Sequence, residues 1–162
     1  MGSRNPTMLL AGLLFGLFAR AATAEVAYPS TDLKKTFNPV NNVEATLKLD
    51  GSTLTISVKG DVHAETTTIN FETLNELHVQ IDDFNFDGMK DFAVWQIDDG
   101  MGTYTIHRIF VYQSETGSFK ELAPACGDGF ANLRVESEKR VLLSTYWEMN
   151  EPKLCMTSFS TR

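Results

Sequence analysis

The sequence is short of basic residues and of long apolar runs, and each shortage excludes a class of protein. With 14 lysines and arginines against 21 aspartates and glutamates, its formal net charge is −7. Nucleic-acid phosphates repel a surface of that sign, so we expect no nucleic-acid partner. The longest apolar run, residues 8–18, is about half the roughly 20 residues that a membrane-spanning helix needs. We therefore expect no membrane contact once the N-terminal segment is removed.

Catalytic motifs are also absent. The sequence contains no G-x-S-x-G, H-E-x-x-H or P-loop motif. Its three histidines, His63, His78 and His107, have no zinc-type spacing with another ligand. Adjacent acids such as Asp98 and Asp99 could in principle serve a glycosidase, which uses two carboxyl groups. We predict that the protein is not an enzyme, and we keep a glycan-acting enzyme as the weakest alternative.

The first 24 residues have the pattern of a secretory signal peptide. Arg4 supplies a short basic region, residues 8–18 supply the apolar region, and Ala22-Thr23-Ala24 supplies the small residues before a cleavage site. Cleavage after Ala24 would remove Arg4, Arg20 and no acidic residue, which changes the formal net charge from −7 to −9. We therefore expect export to the periplasm.

Cysteine is scarce, and its count favours one pairing. The chain has two cysteines, Cys126 and Cys155. An even count in an exported chain predicts a disulfide. A metal-binding pair and a catalytic thiol remain as alternatives, although neither cysteine has a supporting neighbour in sequence.

Period-two alternation of apolar and polar residues predicts the fold. Leu47 and Leu49 alternate with polar residues, Asp50-Gly51 forms a turn, and Leu54 and Ile56 alternate again, which is typical of a β-hairpin. Residues 25–42 are polar and are predicted to form an N-terminal arm with little regular structure. Residues 43–162 are predicted to form a single all-β domain, an antiparallel meander of the sandwich, barrel or propeller-like type. The further strand candidates are residues 66–71, 77–81, 91–97, 104–112, 118–122, 132–136, 140–146 and 154–159.

The stretch from Asp83 to Asp91 reads D-x-N-x-D-G-x-x-D, which is typical of a calcium loop. Calcium binds six to eight hard oxygens, and a tight loop can turn every second side chain toward one ion. Gly88 would permit the sharp turn, and Phe84 and Phe86 would anchor the loop in the core. A metal-free acidic turn is the alternative. The predicted Ca²⁺ ligands are the side chains of Asp83, Asn85, Asp87 and Asp91 and the backbone carbonyl of Met89.

The position of the last acid distinguishes this loop from an EF-hand. An EF-hand has Glu at position 12, which is Val94 here, and it has flanking helices. Asp91 followed by Phe92-Ala93-Val94-Trp95 instead resembles the calcium loop of integrin-type propeller repeats, called FG-GAP repeats. A glycine-rich connection, an aromatic strand at residues 109–112 and a Thr116-Gly117-Ser118-Phe119 turn then follow.

This order, over residues 77–122, resembles a family of bacterial periplasmic proteins with one integrin-like calcium loop. The family includes immunity proteins of bacteria-killing type IV secretion systems. The resemblance implies an incomplete β-propeller-like fold with one calcium-binding hairpin loop. It also implies a periplasmic immunity protein that binds and inhibits a lysozyme-like peptidoglycan hydrolase.

The glycine-rich connection is the candidate for the inhibitory contact. Gly100 and Gly102 would allow the loop backbone to approach the enzyme closely, and Thr103 and Tyr104 could hydrogen-bond or stack in the enzyme cleft. We expect the calcium-tied hairpin to hold the base of this loop rigid, and we expect the negative net charge to attract a basic enzyme. A calcium-binding adhesion or surface-interaction module is the alternative function. The predicted partner-binding residues are Asp98, Asp99, Gly100, Met101, Gly102, Thr103 and Tyr104.

Overall fold

The computed structural model describes residues 33–60, 64–100 and 102–160, and antiparallel strands dominate this part of the chain. The predicted signal peptide, Met101 and His63 lie outside the described residues. No helix within them is long and apolar enough to span a membrane. The elements are β1 (Leu33–Phe37), β2 (Glu44–Asp50), β3 (Thr53–Lys59), β4 (Ala64–Asn70), β5 (His78–Asp82), β6 (Asp91–Ile97), β7 (Thr105–Gln113), β8 (Ser118–Leu122), β9 (Phe130–Glu136), the 3₁₀ helix Ser137–Lys139, β10 (Val141–Glu148) and β11 (Glu151–Ser158).

The first sheet is a four-stranded antiparallel meander, β1-β2-β3-β4. The predicted hairpin is confirmed: Leu49 lies opposite Leu54, and Leu47 lies opposite Ile56. Gly51 has φ +55°, a backbone conformation that suits glycine at the turn. Alternate residues of β2 and β3 are buried, so this sheet has one core face and one polar face.

Part of the predicted N-terminal arm is a strand. β1 lies within residues 25–42 and pairs with β2 along its whole length. The two lysines among the five residues of β1 obscure its period-two pattern. Lys35 takes an inward position, where its ammonium donates a hydrogen bond to the Val79 carbonyl at 2.9 Å. Phe37 is buried and packs against Phe119. The first sheet therefore gains an edge strand that sequence patterning missed.

The second sheet has seven strands: six lie on the path β11-β10-β9-β7-β6-β5, and the seventh, β8, pairs with β7. Besides its pairing with β6, the nine-residue strand β7 pairs with two further strands. Residues 109–113 pair with β8, and residues 106–107 pair with β9. All the strand pairs in the described residues are antiparallel, so the all-β antiparallel prediction is confirmed.

Two apolar cores lie on opposite faces of the hairpin β6–β7. Phe92 and Phe110 stack at 4.9 Å in the core that the first sheet covers. Ala93 and Ile109, which point the other way, pack in a second core with Phe130. This alternation explains why β6 reads as an almost continuous apolar run: both of its faces are buried.

The predicted disulfide is present. Cys126 and Cys155 are bonded, and they tie the segment before β9 to the middle of β11. Cys155 is fully buried.

The buried His107 predicts a loss of stability in acid. Its Nδ1 has no hydrogen-bond partner in the described residues, and burial lowers the pKa of His107, although backbone hydrogen bonds at Phe130 and Thr105 partly oppose this. The unfolded chain, with a histidine pKa near 6.5, then binds the proton more readily than the folded chain, so stability falls as the pH drops below about 6.5. We expect the melting temperature to fall less between pH 7.5 and pH 5 in His107→Gln than in the parent. Equal decreases would show that other groups govern the acid response.

Candidate metal centre and adjoining loop

The candidate calcium loop connects β5 to β6, and its apolar residues anchor it as predicted. Phe84 is fully buried in the second core, and the half-buried Phe86 packs against Phe159 at 5.7 Å between ring centroids. Phe86 and Gly88 have φ +60° and +89°, so the chain turns sharply twice. The Lys90 N–H donates to the Pro39 carbonyl at 2.9 Å, which ties the loop to the connection between β1 and β2.

The alternate side chains of the loop turn inward and accept backbone hydrogen bonds. Asp83 Oδ1 and Asn85 Oδ1 both accept from the Asp87 N–H at 3.1 Å, so these two oxygens converge on one point. Asp83 Oδ2 accepts from the Gly88 N–H at 2.8 Å, and Asp87 Oδ1 accepts from the Met89 N–H at 2.9 Å. The Asn85 amide also donates to Asp87 Oδ2 at 2.8 Å. The loop backbone therefore curves around the side-chain oxygens of Asp83, Asn85 and Asp87.

Asp91 has a role that the sequence did not reveal. Its side chain is completely buried, its Oδ2 accepts from the N–H groups of Phe84 and Asn85, and its Oδ1 accepts from the N–H of Tyr112. Burial raises the pKa of the Asp91 carboxyl to about 7, although the three backbone donors lower it. Asp91 thus joins the loop to the end of β7 by hydrogen bonds.

The donor set suits calcium in its chemistry, since it offers carboxylate, amide and backbone carbonyl oxygens. Within residues 33–60, 64–100 and 102–160, no group of three or more His, Cys, Asp or Glu side chains is arranged to hold a metal ion. A carboxylate oxygen has two lone pairs, so an N–H bond does not by itself prevent contact with a cation. The assignment of Ca²⁺ to Asp83, Asn85, Asp87, Met89 and Asp91 stays a prediction.

The second loop of interest, residues 98–104, connects β6 to β7 and is closed by one carboxylate. Asp98 accepts from the N–H groups of Gly102, Thr103 and Tyr104, at 3.3, 2.8 and 2.7 Å. The Asp98 N–H donates to the Tyr104 carbonyl at 2.9 Å, which completes the turn. Gly100, Gly102 and Thr103 are exposed at the tip.

Asp99 anchors the base of this loop. Its carboxylate accepts from the Thr73 hydroxyl at 2.9 Å, the Asn75 amide at 3.1 Å and the Gln96 amide at 3.2 Å. Sequence reasoning missed Thr73 and Asn75, since they lie more than 20 positions away from Asp99 and carry no local signal. Asp98 and Asp99 therefore hold the loop in shape.

The candidate calcium loop does not lie next to this loop, contrary to expectation. The candidate calcium loop precedes Asp91 and the second loop follows Ile97, so the two lie at opposite ends of β6. With seven residues in the strand and a rise of about 3.3 Å per residue, they are about 20 Å apart. Hydrogen bonds that the carboxylates of Asp98 and Asp99 accept hold this loop instead.

An aromatic pair flanks the second loop. The Tyr104 ring meets the Trp147 ring edge to face, with centroids 4.8 Å apart. Trp147, at the end of β10, is 42% exposed. Its position beside Tyr104 results from the pairing of strands that are distant in sequence.

Comparison of the chain with known protein families, with curated proteins and with solved structures found no match. The resemblance to periplasmic immunity proteins therefore remains a prediction from the motif order alone.

Proposed function

We propose that this chain is an exported, calcium-stabilised inhibitor of a lysozyme-like peptidoglycan hydrolase, acting as an immunity protein in the periplasm. The observation that carries the proposal is the turn in which Asp98 accepts hydrogen bonds from Thr103 and Tyr104, with Gly100, Gly102 and Thr103 exposed beside it. A loop that is already ordered loses little conformational entropy when it enters an enzyme cleft. The disulfide suits an oxidising compartment.

Charge supports the same partner. The formal net charge of −7 would speed the approach to a basic hydrolase. Because the carboxylates of Asp98 and Asp99 already accept hydrogen bonds from this chain, we assign the direct contacts to the tip residues and to Tyr104. Asp98 and Asp99 act as positioning residues.

The propeller-like part of the fold belongs to this proposal as well. β1–β4 and β5–β8 are two successive four-stranded antiparallel meanders that share one core. Propeller blades are four-stranded sheets of this kind. We propose that the chain is built from two blade-like units extended by β9–β11.

A bulky side chain at the loop tip should weaken inhibition. We expect Thr103→Trp to raise the inhibition constant by about 30-fold or more, which corresponds to about 2 kcal/mol for a central contact. The measurement is peptidoglycan digestion by hydrolases of several lysozyme classes, titrated with the mature protein. Thr68→Trp, on the exposed face of β4, adds the same side chain away from the loop and should leave inhibition unchanged.

Three outcomes would contradict the proposed function. The parent protein could fail to inhibit any class at micromolar concentration, Thr103→Trp could inhibit as well as the parent, or the protein alone could cleave glycan. The last result would favour the enzyme alternative.

Calcium should stabilise the fold without being needed for inhibition. At 100 times its Kd, a bound ion would add about 2.7 kcal/mol to the free energy of unfolding, seen as a rise in melting temperature. We expect Asp87→Ala to lose this rise and still inhibit, because the two loops are about 20 Å apart. Asp50→Ala, at the exposed β2–β3 turn, should keep the calcium response. A full response in Asp87→Ala would remove Asp87 from the ligand set.

A further inference from the structure

A groove lies between the segment Gly127–Gly129 and the end of β10. It has a volume of about 370 Å³, and its walls include Asp128, Tyr146 and Trp147. Pockets for small ligands have volumes of about 300–1,000 Å³, so the groove is large enough for one compact ring. It is separate from the candidate calcium loop, and none of its lining residues belongs to loop 98–104.

The glycine side of the groove is fixed by covalent and steric constraints. Cys126, immediately before it, is bonded to Cys155 of β11. Gly127 has φ +72°, and a Cβ atom added there would lie 2.9 Å from Tyr146 Cβ. The backbone can approach β10 this closely only with glycine at position 127. This side of the groove is therefore formed before any ligand arrives.

The opposite side presents an aromatic ring held in place. Trp147 is 42% exposed, and the edge-to-face contact with Tyr104 at 4.8 Å limits its motion. Tyr104 itself does not line the groove. Trp147 therefore offers an apolar surface to a ligand at little further cost in conformational entropy.

Asp128 supplies polar recognition. It is exposed at the tip of the glycine segment, and within the part of the chain that the structure describes it has no hydrogen-bond or ion-pair partner. An ionised carboxylate only accepts hydrogen bonds, so it selects a ligand that carries donors. Two adjacent glycines leave room for a ligand rim to reach it.

We propose that this groove binds a pyranose ring of a glycan. A pyranose has a face of C–H groups that can lie on Trp147 and a rim of hydroxyl donors that can reach Asp128. A purely apolar ligand would desolvate the carboxylate without compensation. An anionic ligand would be repelled by it. This proposal does not depend on the proposed inhibition of a hydrolase, because the groove lies outside loop 98–104.

The test is direct binding of neutral oligosaccharides to the full mature protein without any hydrolase. Chitotetraose and cellotetraose, followed by calorimetry and by ligand-observed NMR, test for an N-acetylated or an unmodified ring. We expect binding of at least one of them, weakened at least tenfold in Trp147→Ala and in Asp128→Ala. Leu154→Ala, an exposed apolar residue on β11 outside the groove, should bind as the parent does.

Two results would overturn the proposal. One is no binding of either oligosaccharide by the parent up to about 10 mM, the range of very weak ligands. The other is binding that survives in Asp128→Ala, a variant that removes no described contact and should fold even if Trp147→Ala does not. Loss of inhibition in Trp147→Ala without any sugar binding would likewise overturn it and would assign the surface to a protein partner.

Discussion

Replacing Asp91 by alanine is expected to lower the free energy of unfolding by about 3 kcal/mol or more, since each buried donor left without an acceptor costs about 1–3 kcal/mol. Three N–H groups, those of Phe84, Asn85 and Tyr112, would lose their acceptor together. Phe84 is fully buried, so water cannot easily replace the carboxylate there. The measurement is urea unfolding in calcium-free buffer, where any loss comes from these hydrogen bonds and not from a missing metal ligand.

Asp82→Ala is the matched control for this experiment. Asp82 is the neighbouring acid at the end of β5 and is exposed, and among the described residues its carboxylate accepts a hydrogen bond from the N–H of Asp83 alone, at 2.9 Å. We expect it to change the free energy of unfolding by no more than about 0.5 kcal/mol, as is usual for surface positions. Similar losses in both variants would mean that Asp91 does not join the loop to β7 in the way described.

Removal of the disulfide has the second large effect. Cys126 and Cys155 are 29 positions apart, and the chain-entropy estimate for a closed loop of that length is about 3–4 kcal/mol. We expect Cys126→Ala/Cys155→Ala to lose about this much stability and to lower the melting temperature accordingly. The parent should lose a similar amount in reductant, while the double variant should not respond to reductant. A parent protein indifferent to reduction would contradict the prediction.

Strand positions were predictable because period-two alternation and short apolar runs between turn residues are both local signals of a β-strand. Residues 91–97 and 118–122 form strands with the predicted bounds, and the hairpin around Asp50-Gly51 has the predicted pairing. β1 was missed because Lys35 satisfies its ammonium at a backbone carbonyl 44 positions away. No local pattern can show that a lysine stem will substitute for an apolar side chain.

The two candidate loops also separate into features that local sequence predicts and features that only the tertiary structure sets. Their existence follows from D-x-N-x-D-G-x-x-D and from the glycines at 100 and 102, since both are local turn signals. The position of one loop relative to the other does not follow from these signals, because it depends on the length and direction of β6. The strand places them at opposite ends, and it assigns the support of loop 98–104 to Asp99, Thr73 and Asn75.

By itself, the sequence determined the strand class, the turn positions, the cysteine pair and the inward alternation of Asp83, Asn85 and Asp87. These depend on residues close in sequence, or on a count with a single pairing. Only the tertiary structure decided that Asp91 ends up buried beneath three N–H donors, that β7 pairs with both β8 and β9, and that Trp147 faces Tyr104. These depend on packing between distant segments, and the free energy of such contacts is set by burial and geometry that no single stretch of chain contains.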